Sequence, residues 1–244
     1  MTTPALAEHV RGKGRHYTHP QTGELVPSVT NVIGIMDKPA LPRWAALEVA
    51  RSAYRMRHAL PEMGESEAID MLKSSPWNRS KRAADRGTDI HSYLEARINS
   101  WEVDDLSPDA EPYREAADGW LMSAEIEPIA TELTVFHPTY AGTVDFVGRV
   151  DGRLTILDFK TSKAIYDEAA LQLGALWGCY SDQHGDPVAW RDGKFELAED
   201  VDLLVVRIGE DGFETKQVAD PYASLVGFVS LLEAWHWKHG KAYL

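Results

Sequence analysis

The chain has 244 residues, of which 44% are hydrophobic and 26% charged, and its formal net charge is −13. This composition is typical of a soluble globular domain, and neither an apolar run of roughly 20 residues nor a signal-peptide pattern is present, so no membrane association is expected. The single cysteine, Cys179, excludes an intrachain disulfide and a four-cysteine iron–sulfur cluster, and it favours a reducing compartment.

The negative charge is concentrated in the second part of the chain. Residues 1–100 contain 14 Lys and Arg against 11 Asp and Glu, whereas residues 101–244 contain 11 against 27. An acidic protein that binds nucleic acid must do so through a local cluster of cations. Two such clusters could form a phosphate-binding groove: Arg11, Lys13 and Arg15, and then Arg79, Lys81, Arg82 and Arg86. The alternative is that both are ordinary solvated surface.

The first 110 residues are predicted to be mainly helical. A turn-rich loop or hairpin is expected first, at 17–27, and Ser28 is placed to cap the helix that follows. Helices are expected at 29–36, 41–60, 65–73 and 81–99. Pro76 should end the third of them, because proline lacks an amide donor and clashes with the preceding turn. An acidic loop is expected at 103–110.

The remaining residues, 111–244, are predicted to contain a helix, three strands, a second helix, two strands and a closing helix. These segments are 112–126, 129–136, 143–150, 154–159, 168–179, 202–208, 212–218 and 222–238. Asp151-Gly152 and 210–212 are typical of tight hairpin turns. The two regions are expected to form one compact unit.

Two of the predicted strands carry the residues that most suggest chemistry. Asp145 lies in an alternating run, and Asp158 and Lys160 lie two positions apart on the next run, so these two side chains point to the same face. Adjacent carboxylates repel each other unless a cation lies between them, and a divalent metal with a nearby ammonium is typical of metal-dependent phosphodiester cleavage. The alternative is that these acids serve only the hairpin turn beside them.

Two predicted helices add candidates. His91 and Glu95 are four residues apart and therefore share a helix face, where an imidazole and a carboxylate could serve a metal or its water. Gln172 is a conspicuous polar residue in an otherwise apolar helical segment. For each of the three, the alternative is an ordinary packed or exposed helix position.

These residues form an ordered set of motifs: Gly-Thr-x-x-His at 87–91, Gly-x-x-Asp at 142–145, Asp-x-Lys at 158–160, and Gln172 on a helix. The set resembles the RecB-like branch of the PD-(D/E)XK nuclease superfamily. The Pro-Ser-Val-Thr run at 27–30, followed by Lys38-Pro39 and Trp44, is similar to the N-terminal segment of small exonucleases of this branch. Those include phage-encoded enzymes and the mitochondrial genome maintenance exonuclease.

The resemblance implies an α/β fold with a restriction-endonuclease-like core, in which a central mixed β-sheet is flanked by helices. Residues 111–244 would form this nuclease core. Residues 1–110 would form an N-terminal helical region that includes the His91 helix.

The resemblance also assigns roles to individual residues. The Mg²⁺ or Mn²⁺ ligands would be His91, Asp145, Asp158 and the backbone carbonyl of Phe159. Lys160 would be the catalytic lysine, with Asp145, Asp158 and Gln172 completing the catalytic set. Glu95 and Glu132 are additional candidates. The charge distribution, rather than the resemblance, predicts that Arg79, Lys81, Arg82 and Arg86 bind DNA. The chain departs from the usual Gln-x-x-x-Tyr helix motif, because Leu176 occupies the tyrosine position.

The function implied is a metal-dependent DNA exonuclease of phage or bacterial recombination, repair or replication. It would act on single strands or strand ends in the cytoplasm of a bacterial or phage-infected cell, with a recombination or single-strand-binding protein as partner. A structure-specific endonuclease on the same core and a non-catalytic, nuclease-like DNA-binding partner are the alternatives. A third is an unrelated metabolic enzyme with chance similarity.

Overall fold

The computed structural model describes residues 7–184, 188–191, 194–197 and 201–240. The strands within these ranges are β1 (Ala7–Val10), β2 (Gly14–Thr18), β3 (Leu25–Pro27), β4 (Ile126–His137), β5 (Tyr140–Val150), β6 (Arg153–Lys160), β7 (Val188–Arg191), β8 (Lys194–Leu197), β9 (Asp202–Gly209) and β10 (Gly212–Gln217). The helices are α1 (Val29–Ile33), α2 (Ala40–Arg55), α3 (Glu65–Ile98), α4 (Arg114–Ser123), α5 (Glu168–His184) and α6 (Pro221–His239). None of the described helices is both long and apolar enough to cross a membrane.

The centre of the molecule is a five-stranded mixed sheet in the order β10-β9-β6-β5-β4. Strands β4, β5 and β6 are antiparallel neighbours, whereas β6 and β9 run parallel, with α5 in the connection between them. Asp151 and Gly152 both have positive φ in the hairpin turn that was predicted between β5 and β6. With α4 in front, the order is helix, three strands, helix, strand. The predicted α/β class, with a central mixed sheet flanked by helices, is confirmed.

Helices cover both faces of this sheet because its strands alternate apolar side chains to either side. Ile156 contacts the apolar cluster formed with α1, α5 and α6, whereas its neighbour Leu157 contacts the cluster formed with α3 and α4. Burial on both faces provides most of the stabilisation, at about 25 cal/mol for each Å² of apolar surface removed from water. The two layers also hold α3 and α5 rigidly against the strands that carry Asp145 and Asp158.

A second, three-stranded antiparallel sheet, β1-β2-β3, packs against β5, so the N-terminal region is not purely helical. Its buried residues Tyr17 and Val26 contact Phe136 and Ala141 of the central sheet. The chain then enters α1 through Ser28, whose Oγ accepts a hydrogen bond from the Asn31 amide at 3.1 Å. The predicted N-cap is therefore present, and the small sheet is held over one end of β5.

The prediction that Pro76 ends a helix is wrong. Residues Glu65–Ile98 form one continuous helix with Pro76 inside it and buried. Proline removes the amide that would bond to the Leu72 carbonyl, but the hydroxyl of Ser75 donates to that oxygen at 2.7 Å. The substitute donor and the burial of the ring offset the missing bond, and α3 reaches His91 without a break.

Other predicted boundaries shift by several residues. The first helix ends at Ile33 rather than 36 and the second at Arg55 rather than 60, whereas α5 extends to His184. The β7–β8 hairpin and β1 were not predicted, because strands of four residues are too short for an alternating pattern to stand out.

Candidate metal centre and active-site cleft

A cleft of about 750 Å³ lies between the small sheet, α3, α5 and the strands β4, β5 and β6. The residues singled out from the sequence for metal binding or catalysis by their side chains all line it. They are His91, Glu95, Glu132, Asp145, Asp158, Lys160 and Gln172. Five different elements supply them, so the cleft depends on the tertiary fold rather than on any one segment.

Asp145 is held by the neighbouring strand. Its Oδ2 accepts a hydrogen bond from the Phe159 amide at 2.7 Å, which locks the carboxylate of β5 against β6. The same oxygen lies 3.4 Å from Nδ1 of His91 on α3. Asp145 therefore links two strands of the sheet to the helix above them.

The pair formed by His91 and Asp145 is ionised. Burial alone would lower the pKa of His91, but the charge and hydrogen bond of Asp145 raise it to about 9. Burial opposes ionisation of Asp145 in the same way, and the imidazolium keeps the pKa of that carboxyl below its usual value. At neutral pH the proton of His91 thus occupies a place that a metal cation could take.

The donor atoms of His91, Glu132 and Asp145 all lie within 4.8 Å of one another. One imidazole nitrogen and two carboxylate oxygens form a donor set that can hold a divalent metal ion. Glu132 lies at the exposed rim with a positive φ of 48°, and loss of surrounding water together with repulsion by Asp145 raises its pKa to about 7. The backbone of Glu132 is thus strained and its carboxylate is disfavoured. A bound cation would stabilise that carboxylate.

Asp158 and Lys160 form a second group beside the first. Asp158 is only 2% exposed and makes a close ion pair with Lys160. Gln172 bridges them, since its Nε2 donates to Asp158 at 2.7 Å and its Oε1 accepts from Lys160 at 3.1 Å. Burial disfavours the charge on Lys160, but Asp158 and Asp145 raise its pKa above the usual value. The lysine is therefore an ammonium suited to stabilising negative charge.

The structure divides the predicted metal ligands between these two groups. His91 and Asp145 lie together, and Glu132, an additional candidate from the sequence, is the third member of their group. Asp158 instead directs its carboxylate at Lys160 and Gln172. Burial and repulsion by Asp145 raise the pKa of Asp158, while Lys160 opposes that rise. Its approach to a metal ion, like that of the Phe159 carbonyl, stays a prediction.

Glu95 supports the cleft wall. It lies one helical turn after His91 and accepts a hydrogen bond from the Thr131 hydroxyl at 3.0 Å. Thr131 in turn accepts one from Asn99 at 3.0 Å. These contacts bind the end of α3 to β4, next to Glu132, so Glu95 is placed to orient the segment that carries a candidate ligand.

Three cleft residues were not identified as site residues from the sequence. The hydroxyl of Tyr17 shares a hydrogen bond with Thr143 at 3.0 Å and accepts one from Arg15 at 2.5 Å. Thr143 precedes Asp145 by two positions on the same strand, so strand periodicity could have identified it. Arg15 was assigned only to a basic cluster, and Tyr17 carried no signal at all.

The second basic cluster lies on α3 away from the cleft lining. Arg79 pairs with Glu48 at 3.0 Å and Lys81 with Asp85 at 2.6 Å. The guanidinium of Arg86 lies 4.7 Å from the ring centroid of Tyr113. Arg82 is exposed. These four residues are thus not gathered around the carboxylates, and their contact with DNA stays a prediction.

Comparisons with known proteins identify no family. No family and no curated protein matches the chain. Among solved structures, SSO0001 is 15% identical, with 63% of this chain and 75% of that chain covered and a TM-score of 0.29. The alkaline exonuclease LHK-Exo from Laribacter hongkongensis is 13% identical over 66% of this chain and 90% of that chain, with a TM-score of 0.26. Its complex with dAMP has 14% identity, coverages of 66% and 92%, and a TM-score of 0.26. Scores this low establish neither a shared fold nor a shared activity.

Proposed function

We propose that this protein is a divalent-metal-dependent deoxyribonuclease, and that it acts as an exonuclease on single strands or strand ends. The observation that supports this most is the convergence, in one cleft, of a His/Glu/Asp donor group with an Asp–Lys–Gln group whose aspartate is buried. In metal-dependent phosphodiester hydrolysis a bound metal receives the phosphate, and a nearby cation stabilises the charge that develops on it. The two groups together could supply both.

His91 and Asp145, with Glu132 or Asp158, would hold the Mg²⁺ or Mn²⁺ ion. When bound, such an ion polarises the phosphate and lowers the pKa of a coordinated water. The protein's own contribution is to keep the ligand oxygens fixed. The Phe159 amide does this for Asp145, and Gln172 does it for Asp158.

Lys160 would stabilise the negative charge that develops on the phosphate during attack. Its ammonium is held in the cleft by Asp158 and Gln172, so little reorganisation is needed at the moment of reaction. Because neighbouring acids keep it charged, we propose that Lys160 acts as an electrostatic stabiliser and orients water, rather than acting as the general base.

Arg15 would provide a second cation at the other wall of the cleft. Its guanidinium is fixed by Tyr17, and its Nε is buried without a hydrogen-bond partner. An acidic protein needs such local positive charge if a phosphate is to approach three carboxylates. The setting in phage or bacterial recombination, repair or replication, and a recombination or single-strand-binding partner, are part of the proposal and rest on the sequence motifs alone.

The proposal is tested by digestion of end-labelled linear single-stranded and double-stranded DNA with Mg²⁺, Mn²⁺ or EDTA. We expect metal-dependent loss of linear DNA, no cleavage in EDTA and a rate at least about 100-fold lower with Lys160→Ala. Closed circular single-stranded DNA should survive. Cleavage of the circle would instead support an endonuclease, and DNA binding without any cleavage would support the non-catalytic alternative.

A further inference from the structure

Helix α2 and the three residues after it are basic within an acidic protein. This segment, residues 40–58, contains four arginines and one acid. That acid, Glu48, is only 2% exposed and is neutralised by Arg51 at 3.1 Å and by Arg79 of α3 at 3.0 Å. The exposed charge of the segment is therefore positive, in a chain whose net charge is −13.

An aromatic ring lies among these arginines. Tyr54 is 70% exposed, and the guanidinium of Arg57 lies 4.7 Å from its ring centroid. Ala50, Arg51, Tyr54 and Arg55 line a shallow hollow on the same helix. Core packing does not explain why this tyrosine is so exposed. An exposed aromatic ring with arginines beside it suits a ligand that has both flat rings and negative charge.

We propose that this surface, formed by Arg51, Tyr54, Arg55 and Arg57 and named here the α2 surface, binds the single-stranded part of the nucleic acid away from the cleft. A base would stack on Tyr54 while the arginines contact phosphates, which is how proteins hold single strands without sequence preference. The inference depends on the proposed function and adds to it a second, remote substrate-binding surface.

Helix geometry gives an approximate distance between this surface and the cleft. The ion pair between Glu48 and Arg79 fixes α2 against α3 at a point 12 residues before His91, which is about 18 Å along the helix. The chain reverses between α2 and α3, so Tyr54 lies about 9 Å farther away. These distances add to about 27 Å, so at about 3.4 Å per stacked nucleotide a strand of about eight nucleotides joins the two places.

The test compares oligodeoxythymidines of 4 and 20 nucleotides as substrates in Mn²⁺, with KM measured for the wild type, Tyr54→Ala and the double variant Arg55→Gln/Arg57→Gln. These residues are exposed and lie outside the Glu48 pair, so the fold should persist. Trp101→Ala, which removes another exposed aromatic, and Lys216→Gln on β10 are the matched controls. Circular dichroism checks the folding of each variant.

We expect the wild type to have a lower KM for the 20-mer than for the 4-mer. Tyr54→Ala should raise KM for the 20-mer by about tenfold and leave the 4-mer unchanged, since one stacked base is lost. The double variant should lower the slope of log affinity for the 20-mer against log salt by about 1.4, because two phosphate contacts are lost. The controls should match the wild type.

Cleavage of both lengths with equal KM, or wild-type KM in Tyr54→Ala, would overturn the α2 surface while leaving the nuclease intact. A wild type that neither binds nor cleaves either length would overturn the proposed function as well. If the variants kept wild-type DNA affinity but lost binding to polyglutamate or to anionic vesicles, the surface would belong to an acidic protein or a membrane, and the inference would be wrong.

Discussion

At the scale of single residues, the candidate site is a set of charges that stabilise one another. Asp145 is ionised because His91 is protonated, and Lys160 is charged because Asp158 is beside it. Gln172 donates to one member of the second pair and accepts from the other. Removing any one of these groups leaves a buried partner without compensation, so substitutions here should lower the free energy of unfolding as well as the activity.

Lys160→Ala should lower the rate of DNA cleavage by at least about 100-fold, because it removes the cation nearest the developing charge. Lys160→Arg, which keeps the charge, should retain a measurable rate. Single-turnover assays on labelled single-stranded DNA measure both. Full activity in Lys160→Ala would contradict the assignment, provided that near-ultraviolet circular dichroism shows a folded protein.

Metal binding should release protons at pH 7. His91, with a pKa of about 9, is protonated there, and Glu132, with a pKa of about 7, is partly protonated, yet both must lose their protons to bind a metal. Affinity for Mn²⁺ should therefore rise as pH increases towards 9. The stability of the metal-free protein should instead fall as pH rises. The His91–Asp145 pair raises the pKa of His91, so it stabilises the fold fully below about pH 6.5 and loses that contribution as pH rises through 9.

Calorimetric titration with Mn²⁺ in buffers of different ionisation enthalpy measures this release. We expect more than one proton per ion for the wild type and a clearly smaller number for His91→Ala. An uptake of protons, or no dependence on the buffer, would show that these two groups are not the ligands.

At the scale of elements, the cleft depends on how closely the helices approach the sheet and each other. Gln172 lies on α5, which packs against the central sheet and also against α6. At Gly174 the two helices are so near that an added Cβ would lie 2.7 Å from the Leu225 amide nitrogen and 2.8 Å from the Ser224 carbonyl carbon. Backbone atoms cannot turn aside as a side chain can, so this position admits only glycine without a shift of a helix.

Gly174→Ala should therefore lower the free energy of unfolding by about 1–3 kcal/mol, the usual cost of overpacking. Gly119→Ala is the matched control, because Gly119 lies inside α4 and an added Cβ would be 3.5 Å from the Phe213 ring, an ordinary contact, so this variant should be no less stable than the wild type. Urea denaturation followed by circular dichroism gives both values. Equal stability of the two variants would mean that α6 can move away from α5 at little cost.

At the scale of the whole molecule, a net charge of −13 repels DNA, the polyanion proposed as the substrate. The acids of residues 101–244 make the field around the protein repulsive to DNA, so binding must depend on cations close to the cleft or on the α2 surface. Arg15, placed at the cleft by the small N-terminal sheet, is the cation that joins the N-terminal region to the site.

DNA affinity should consequently fall steeply with salt, and Arg15→Gln should lower the slope of log affinity against log salt by about 0.7 for a single strand. Lys216→Gln, at the opposite edge of the sheet, should leave the slope unchanged. Fluorescence anisotropy with a labelled oligonucleotide in the presence of EDTA measures it without cleavage. Equal slopes for the two variants would remove Arg15 from the binding surface.

Much of the fold follows from local patterns. The alternating runs around Asp145 and before Asp158, the turn at Asp151-Gly152 and the cap at Ser28 all depend on residues within a few positions of one another. The helix boundary predicted at Pro76 was wrong, because a rule for one residue type ignores what surrounds it. The Ser75 hydroxyl replaces the missing donor, and the proline ring is buried, so the helix continues. Local rules succeed where local geometry decides the outcome.

By itself, the amino-acid sequence determined that Asp158 and Lys160 share a face and that His91 and Glu95 share another, because strand and helix geometry are properties of short segments. Only the tertiary structure decided which of these groups meet. The hydrogen bond between Tyr17 and Thr143 joins residues 126 positions apart. The grouping of Glu132 with His91 and Asp145, rather than with Asp158, depends likewise on how α3 packs across β4 and β5. Contacts of this range arise from packing of whole elements, and no local pattern in the sequence encodes them.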